Sequence, residues 1–278
     1  MKISVFIPNY NHGHFLERCI ERYINQIFRP IEIIIADDGS TDNSIEIIND
    51  LILKYKKQIK IILIKNKNNL GIHQTLSNNY KKCKGDFVYF GSVTDGIEKI
   101  FFNEAKKGLD LNPDVKIIYG DVKIVDEKLN LIYLASLKQI YKSQLIKPRL
   151  FYKKILLKES LGFSLSTSTI YNKKILEKFD FCNKNLGGYS DTFNINSICL
   201  LYNSYYIKSI CSFWVLEKNS YSQKTSLLNS FKIFYHSSVL MNFSKNYKFI
   251  YPKYYCLKWI IIYPLKIIFR NIKNKFVL

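Results

Sequence analysis

The densest group of reactive side chains in the sequence is "ADDGSTDNS", Ala36 to Ser44. Two adjacent carboxylates, Asp37 and Asp38, follow an aliphatic run and precede Gly39 and a set of helix-capping residues. Carboxylates so placed accept N–H and O–H donors, such as those of a nucleobase or a ribose. A plain strand–turn–helix connection uses the same residues, because Asp and Gly favour turns and Ser or Thr caps helices. A second stretch, "IPNYN" (Ile7 to Asn11), narrows the choice. Pro8, Asn9, Tyr10 and Asn11 also follow a β-rich run, and the Tyr10 ring can stack on a base. A third stretch, "GDFVYFGSVTDG" (Gly85 to Gly96), passes from an apolar segment into a polar turn with one carboxylate, Asp95, and the hydroxyls of Ser92 and Thr94 before it. In nucleotide-handling α/β proteins such a turn usually gathers several acids that hold a divalent metal against a diphosphate; here a single acid stands.

These stretches need elements to hold them. "KISVFI" (2–7) is a β-rich run, and residues 12–28 carry Phe15, Leu16, Cys19, Ile20, Tyr23 and Ile27 at helical spacing. "IEIIIA" (31–36) is a continuous aliphatic run, as expected of a strand covered on both faces. "STDNSIEIINDLILKYKK" (40–57) has polar caps and then Ile45, Ile48, Leu51, Ile52 and Tyr55 on one helical face. "KIILIK" (60–65) is a third strand, residues 71–82 suit a helix, and "DFVYF" (86–90) is a fourth strand. Strand–helix units repeated in this way predict an α/β fold built on a doubly wound, mostly parallel sheet with helices on both faces. Ligands in such sheets bind beyond the carboxyl ends of the strands. Those ends are Pro8–Asn11, Asp37–Ser40, residues 66–71 and Gly91–Asp95, so four polar loops should line one crevice.

The second half is less regular. "VKIIYGDVKIVDEKLNLIYL" (115–134) reads as two strands joined across "DEKLN". "SLSTSTIYNKKILEKF" (164–179) reads as a Ser/Thr-rich strand and a short helix. "NLGGYSDTFNINSICLLY" (185–202) is a Gly-marked turn with Asp191 at the mouth of a helix, where Asp is also a favoured cap. "SYYIKSICSFWVL" (204–216) reads as a further strand pair. Asp180 follows the short helix as an ordinary surface acid.

In this order and spacing, "IPNYN", "IIADDGSTDNS", "NNLGI" and "GDFVYF" resemble the family 2 glycosyltransferases, closely over residues 1–95 and more loosely over 160–215. The resemblance implies a GT-A fold and inverting transfer from a nucleoside diphosphate sugar. Residues 1–215 would form the glycosyltransferase domain, 1–97 its nucleotide-sugar-binding half and 98–215 its acceptor-side half. It implies that Pro8, Tyr10 and Asn11 border the donor nucleoside and that Asp37 and Asp38 sit at base and ribose, without deciding which reaches the base edge. Asn69 and Gly71 would lie near the donor. Asp191 in "GGYSD" would be the base that takes the proton from the acceptor hydroxyl. Two departures stand out. Leu76 and Ser77 occupy positions where the family often has Arg-Asn, and Ser92, Thr94 and Asp95 stand where it usually has Asp-x-Asp and a third acid. The resemblance still implies Mg²⁺ or Mn²⁺, held by Asp95 with Ser92 and Thr94 as weak helpers, because phosphates and waters can complete the shell. A metal-free site relying on Lys or His charge, and an inactive nucleotide-sugar-binding protein, are the other readings of those positions.

The bulk properties point to an anionic partner without choosing which. The chain has 278 residues, and its Lys and Arg outnumber Asp and Glu by 42 to 22, a net charge of +20. That surplus favours phosphorylated ligands, nucleic acid or anionic membranes. No acid follows Glu217, while Lys and Arg recur to Lys275 among Tyr247, Tyr251, Tyr254, Tyr255, Trp259 and Tyr263. Residues 216–278 therefore read as a basic, aromatic-rich C-terminal extension. In "PLKIIFRNIKNKF", Lys266, Arg270 and Lys273 share one helical face and Leu265, Ile268, Ile272 and Phe276 another, an amphipathic pattern that suits a helix on an anionic membrane or a terminal helix packed on the domain with its Lys outward. With no recognition motif for nucleic acid, the partners expected are a nucleoside diphosphate sugar, a glycan or lipid-linked acceptor and a membrane surface. The apolar run Trp259–Leu265 is shorter than the roughly 20 residues a span takes, and "MKISVFIPNYNH" reads as a first strand, not a signal peptide. Six cysteines with no C-x-x-C pair and no His cluster beside them argue against a metal or disulfide framework and point to reduced thiols. A cytoplasmic protein, peripheral on the inner membrane face, is the expectation.

Overall fold

The structure, a computed structural model, describes residues 1–157, 166–179, 181–216, 227–243 and 250–251. The amphipathic stretch 264–276, the rings Tyr247, Tyr254, Tyr255, Trp259 and Tyr263, and Asp180 lie outside the described residues.

The first half follows the hydrophobic pattern. Strands β1 (Ile3–Asn9), β2 (Glu32–Asp37), β3 (Lys60–Lys65) and β4 (Phe87–Phe90) alternate with helices α1 (Gly13–Ile24), α2 (Ser44–Tyr55) and α3 (Ile72–Asn79). A two-residue strand β5 (Gly96–Ile97) and helix α4 (Phe101–Leu111) follow. Then come β6 (Ile117–Val125), β7 (Leu131–Ala135), β8 (Gln144–Ile146) and α5 (Pro148–Leu150), which widens into a π-turn over Phe151–Leu156. They are followed by β9 (Thr169–Asn172), α6 (Lys173–Leu176), α7 (Ser190–Leu201), β10 (Ser204–Val215) and α8 (Leu227–Phe243).

The ten strands of the described residues form one sheet, ordered β3-β2-β1-β4-β9-β6-β10-β5, with β7 on β6 and β8 on β10. Strands β3, β2, β1 and β4 run parallel. β9 lies antiparallel between β4 and β6, and β6 pairs β10 in parallel. The sheet is thus a parallel nucleotide-type half joined to a mixed half. Alternation along each strand divides the core into two layers. Ile3, Val5 and Ile7 of β1 face α1, α2 and α4, packing with Leu16, Ile20, Leu51 and Phe102. Phe6 of β1, with Ile34 and Ala36 of β2, faces the other way, toward Leu76 of α3 and Phe193 of α7. Phe234 and Met241 of α8 and Tyr251 join that second layer. Tyr251, one of the rings expected at an interface, is instead buried, stacked on Phe193 with ring centroids 5.5 Å apart and hydroxyl-bonded to Ser197 at 2.8 Å.

The expected strand pair at 204–216 is one twelve-residue strand, β10. No turn residue of the Gly, Pro or Asn type breaks it, and two register shifts against β6 absorb the irregularity. The five described cysteines are all buried and free. No helix of the described residues is long and apolar enough to cross a membrane.

Candidate active site

The parallel register brings the ends of β1 and β2 side by side, with Asn9 opposite Asp37. Backbone hydrogen bonds continue past the strands: Asp38 N–H donates to the Asn9 carbonyl (2.8 Å), Asn66 N–H to the Asp37 carbonyl (2.9 Å) and Gly91 N–H to the Phe6 carbonyl (2.9 Å). Four loops distant in sequence are thereby laced together at one edge. A cavity of about 880 Å³ opens there, and Pro8, Tyr10, Asp38, Asn69 and Gly71 line it.

The adjacent acids Asp37 and Asp38 have different surroundings. Asp37 is buried and does not line the cavity. Its Oδ2 accepts from Asn9 Nδ2 (2.8 Å) and Ser40 Oγ (2.6 Å), and its Oδ1 from Ser40 N–H (2.9 Å). Asp38 lines the cavity while holding the 66–75 segment. Its Oδ1 accepts from Asn66 Nδ2 (2.7 Å), Thr75 Oγ1 (2.7 Å) and Leu70 N–H (3.0 Å), and its Oδ2 from Gly71 N–H (2.8 Å). Burial pushes the Asp38 carboxyl up, but the donors from Leu70, Asn66, Thr75 and Gly71 outweigh it and hold the group below the usual carboxylate range. Oδ2, with one protein donor, keeps acceptor capacity toward the cavity.

Asn11 also acts between loops. With φ at 54°, a left-handed conformation that Asn tolerates, it accepts at Oδ1 from Thr41 N–H (2.8 Å) and donates its own N–H to Ser40 Oγ (2.9 Å). It does not line the cavity. Gly39 (φ 76°) sits against the third loop, where a Cβ would meet the Asn68 carbonyl carbon at 2.7 Å. Asn69 closes its own turn through Oδ1 to Gly71 N–H at 2.9 Å. Gly71 (φ 83°) then starts α3, whose first-turn residues Ile72, His73 and Gln74 line the cavity. Their amide end carries the positive end of the helix dipole.

The fourth loop supplies hydroxyls. Ser92 and Thr94 line the cavity, their oxygens 3.3 Å apart. Asp95 does not line it. Its Oδ1 accepts from Val215 N–H of β10 at 3.0 Å, and its backbone carbonyl accepts from Arg22, whose guanidinium lies 5.0 Å from the centre of the Phe213 ring. Magnesium and manganese sites draw on carboxylate oxygens, even where phosphates supply other ligands. This loop turns two neutral hydroxyls to the cavity, and its one acid lies outside the lining with Oδ1 bonded to β10. Among the described residues no three His, Cys, Asp or Glu side chains gather in a metal-binding group. The residues present therefore do not fit the metal site that the resemblance implies.

A further wall comes from residues 182–185. Cys182 has φ of 70°, and His73 hydrogen-bonds its backbone, tying this wall to α3. Burial lowers the His73 imidazole below its usual range, with that bond opposing in part. Exposed Lys184 carries its ammonium on this wall.

Asp191 lies on the same segment, past a kink at Gly187. It is the second residue of α7; Tyr189, not Asp191, occupies the cap position. The side chain is half-buried, and burial pushes its carboxyl from 3.8 up to about 6. Among the described residues nothing donates a hydrogen bond to that carboxylate. It stands outside the lining of the cavity.

Thr75 and Lys184 escaped the sequence reading, and Asn9 was named there without a role of its own. Asn9 is buried and lines the cavity; Nδ2 is spent on Asp37, and Oδ1 has no hydrogen-bond partner among the described residues. Its place inside "IPNYN" was the available signal. Thr75 bonds Asp38 from one turn into α3, and Lys184 opens a short 3-10 helix with no motif; neither carries a signal of its own.

The sheet, its helices on both faces and the cavity at the strand ends define a GT-A glycosyltransferase fold. Residues 4–179, more than half of the chain, match Glycosyl transferase family 2, and the chain belongs to that family. It is 30% identical over 125 residues to the glycosyltransferase GlyG of Streptococcus pneumoniae, a match covering 45% of this chain and 40% of GlyG. The matches span less than half the length of the curated relatives. S. aureus TarS 1-349, solved with UDP-GlcNAc, superposes with a TM-score of 0.71 at 16% identity, over 95% of this chain and 71% of that one. The Pyrobaculum calidifontis mannosyltransferase PcManGT, solved with GDP-Man and Mn²⁺, gives 0.59 at 15% identity, over 85% of this chain and 64% of that one. At these identities the likeness is one of fold.

Proposed function

We propose that this chain transfers a sugar from a nucleoside diphosphate sugar to a hydroxyl of a glycan or lipid-linked acceptor, with inversion, in the assembly of a cell-surface polysaccharide or lipooligosaccharide. The observation that carries the reading is the cavity fed by all four strand-end loops. Tyr10, 40% exposed on its rim, offers a ring to the base, and Asp38 offers Oδ2 to base or ribose donors. Asp37 and Asn11 act on the donor indirectly, by fixing the loops that carry Asn9 and Ser40. Asn69, Gly71 and the first turn of α3 face the diphosphate side. TarS with UDP-GlcNAc and PcManGT with GDP-Man support a nucleotide sugar as the donor class.

Asp191 is the proposed base. Its carboxylate takes the acceptor hydroxyl proton as that oxygen bonds to the anomeric carbon, and the bond from that carbon to the diphosphate breaks with its electron pair on the departing phosphate. A carboxyl raised to about 6 is ionised at neutral pH and is a better proton acceptor than an ordinary aspartate. The Mn²⁺ of PcManGT supports divalent metals within the fold; for this chain Asp95 is the one acid at that loop, and no step is assigned to a metal. We further propose residues 1–215 as the transferase unit, and residues 216–278 as an extension that meets an anionic cytoplasmic membrane face.

The test is nucleoside diphosphate release from a panel of UDP, GDP, CDP and dTDP sugars, with the same panel read by thermal shift. Stabilisation by one donor class with turnover supports the reading; no stabilisation by any of them contradicts it. A second reading, a nucleotide-sugar-binding protein with little or no catalysis, is favoured by the hydroxyls at Ser92 and Thr94. Donor binding without hydrolysis or transfer would select it.

A further inference from the structure

We propose that Lys184 takes the place of the divalent cation at the donor diphosphate, so that this chain binds its nucleotide without a metal. The inference rests on the nucleotide-sugar reading above and goes beyond it in naming how the leaving group is neutralised.

A departing nucleoside diphosphate carries negative charge that the protein must meet with fixed positive charge or donors. Acids at the floor of such a site help only when a cation sits between them and the phosphates; without it they repel. The floor here carries Ser92 and Thr94, neutral hydroxyls that can donate to a phosphate oxygen directly. The neighbouring acid is engaged elsewhere: Asp95 accepts from Val215 N–H. The cations near this loop divide in the same way. Arg22 donates to the Asp95 carbonyl, packs on Phe213 and does not line the cavity. His73 lines the cavity, but burial disfavours its charged form. His12 lines it as well, as a second imidazole.

Lys184 differs from all of these. It lines the cavity from the wall at 182–185, and it forms no ion pair among the described residues. Asn183 fixes the local turn by accepting at Oδ1 from Asn185 N–H at 2.9 Å, and the His73 link to Cys182 holds the wall against α3. A long, unpaired ammonium on an anchored wall can reach a phosphate as a mobile point charge. The two hydroxyls and the ammonium line one cavity and together supply donors and charge for an anion from this chain's own atoms.

The experiment titrates UDP, GDP, CDP and dTDP into the full chain by calorimetry, once with EDTA and once with Mn²⁺. For whichever nucleotide binds, the proposal expects the same affinity in both buffers. Lys184→Ala should weaken that affinity about tenfold or more, as expected for a lost charge-assisted bond. Lys184→Arg should restore most of it, and binding of the corresponding nucleoside should not change. The exposed position predicts unaltered melting of the unliganded variants. Binding that needs Mn²⁺ overturns the proposal and leaves the nucleotide reading standing. Metal-independent binding indifferent to Lys184→Ala overturns the part given to Lys184. No binding of any nucleotide in either buffer overturns both.

Discussion

Asp191→Asn should make this protein more stable at alkaline pH while abolishing turnover. The carboxyl stands at about 6 in the folded chain against an ordinary 3.8, because burial disfavours its ionised form. A rise of that size means that ionising Asp191 costs about 3 kcal/mol more in the folded chain than in the unfolded one. Solvent reaching a half-buried group reduces this, so about 1–3 kcal/mol is expected. The sign follows from proton uptake. Between pH 4 and pH 6 the folded state holds the proton more tightly, so stability from this group is intact below about 4 and lost as pH rises through about 6. Asparagine has no charge to bury and keeps the shape. At pH 8 the variant should melt roughly 2–10 °C higher than the parent, given a few degrees per kcal/mol for a chain of this size. At pH 4 the difference should vanish. Paired melting curves at the two pH values make the measurement. A variant that melts no higher at pH 8, or by the same margin at both, refutes the burial argument. In the same preparations transfer should fall by about 10² to 10⁴-fold with nucleotide binding retained; retained turnover removes Asp191 as the base. Parent activity should decline as pH falls through about 6.

Other outcomes follow from the loops. Asp38→Ala strands the Asn66, Leu70, Gly71 and Thr75 donors and should cost about 2–4 kcal/mol in denaturant titration. Because the folded Asp38 carboxyl is held low, its contribution should persist at neutral pH and disappear as pH falls through that lowered value. Tyr10→Ala should weaken nucleotide binding about tenfold by calorimetry, the scale of one lost stacking contact, with little change in melting. Gly39→Ala should lower stability by about 1–3 kcal/mol, since φ is 76° and the new methyl meets the Asn68 backbone; an unchanged melting point would contradict the tight approach of those loops.

The parallel half was legible because its signals are local. Aliphatic runs such as "IEIIIA", polar caps and the 3.6-residue spacing in α1 and α2 each state their own element. The crevice was legible too, since parallel strand ends converge wherever the connections are regular. What the sequence could not state was orientation. Asp37 and Asp38 are adjacent, yet alternation in the register turns one into the loop network and the other onto the cavity. Asp95 follows four cavity-lining residues, Gly91 to Thr94, but β10, more than a hundred residues later, supplies an N–H to its Oδ1. Lys184 lines the cavity from a segment whose tie to α3, the hydrogen bond between His73 and the Cys182 backbone, joins residues more than a hundred positions apart. The continuous β10 was read as two strands because bulges leave no turn residue behind. Tyr251 was read as interfacial from its basic neighbourhood, although its partner, Phe193, lies far away in sequence.

The most direct measurement is a crystal structure of the full chain with the nucleoside diphosphate that stabilises it. The account predicts the base against Tyr10, a base or ribose donor on Asp38 Oδ2, and the phosphates over Ser92 and Thr94 toward Lys184. A nucleotide bound elsewhere, or in this cavity with its phosphates turned away from that floor, would contradict it.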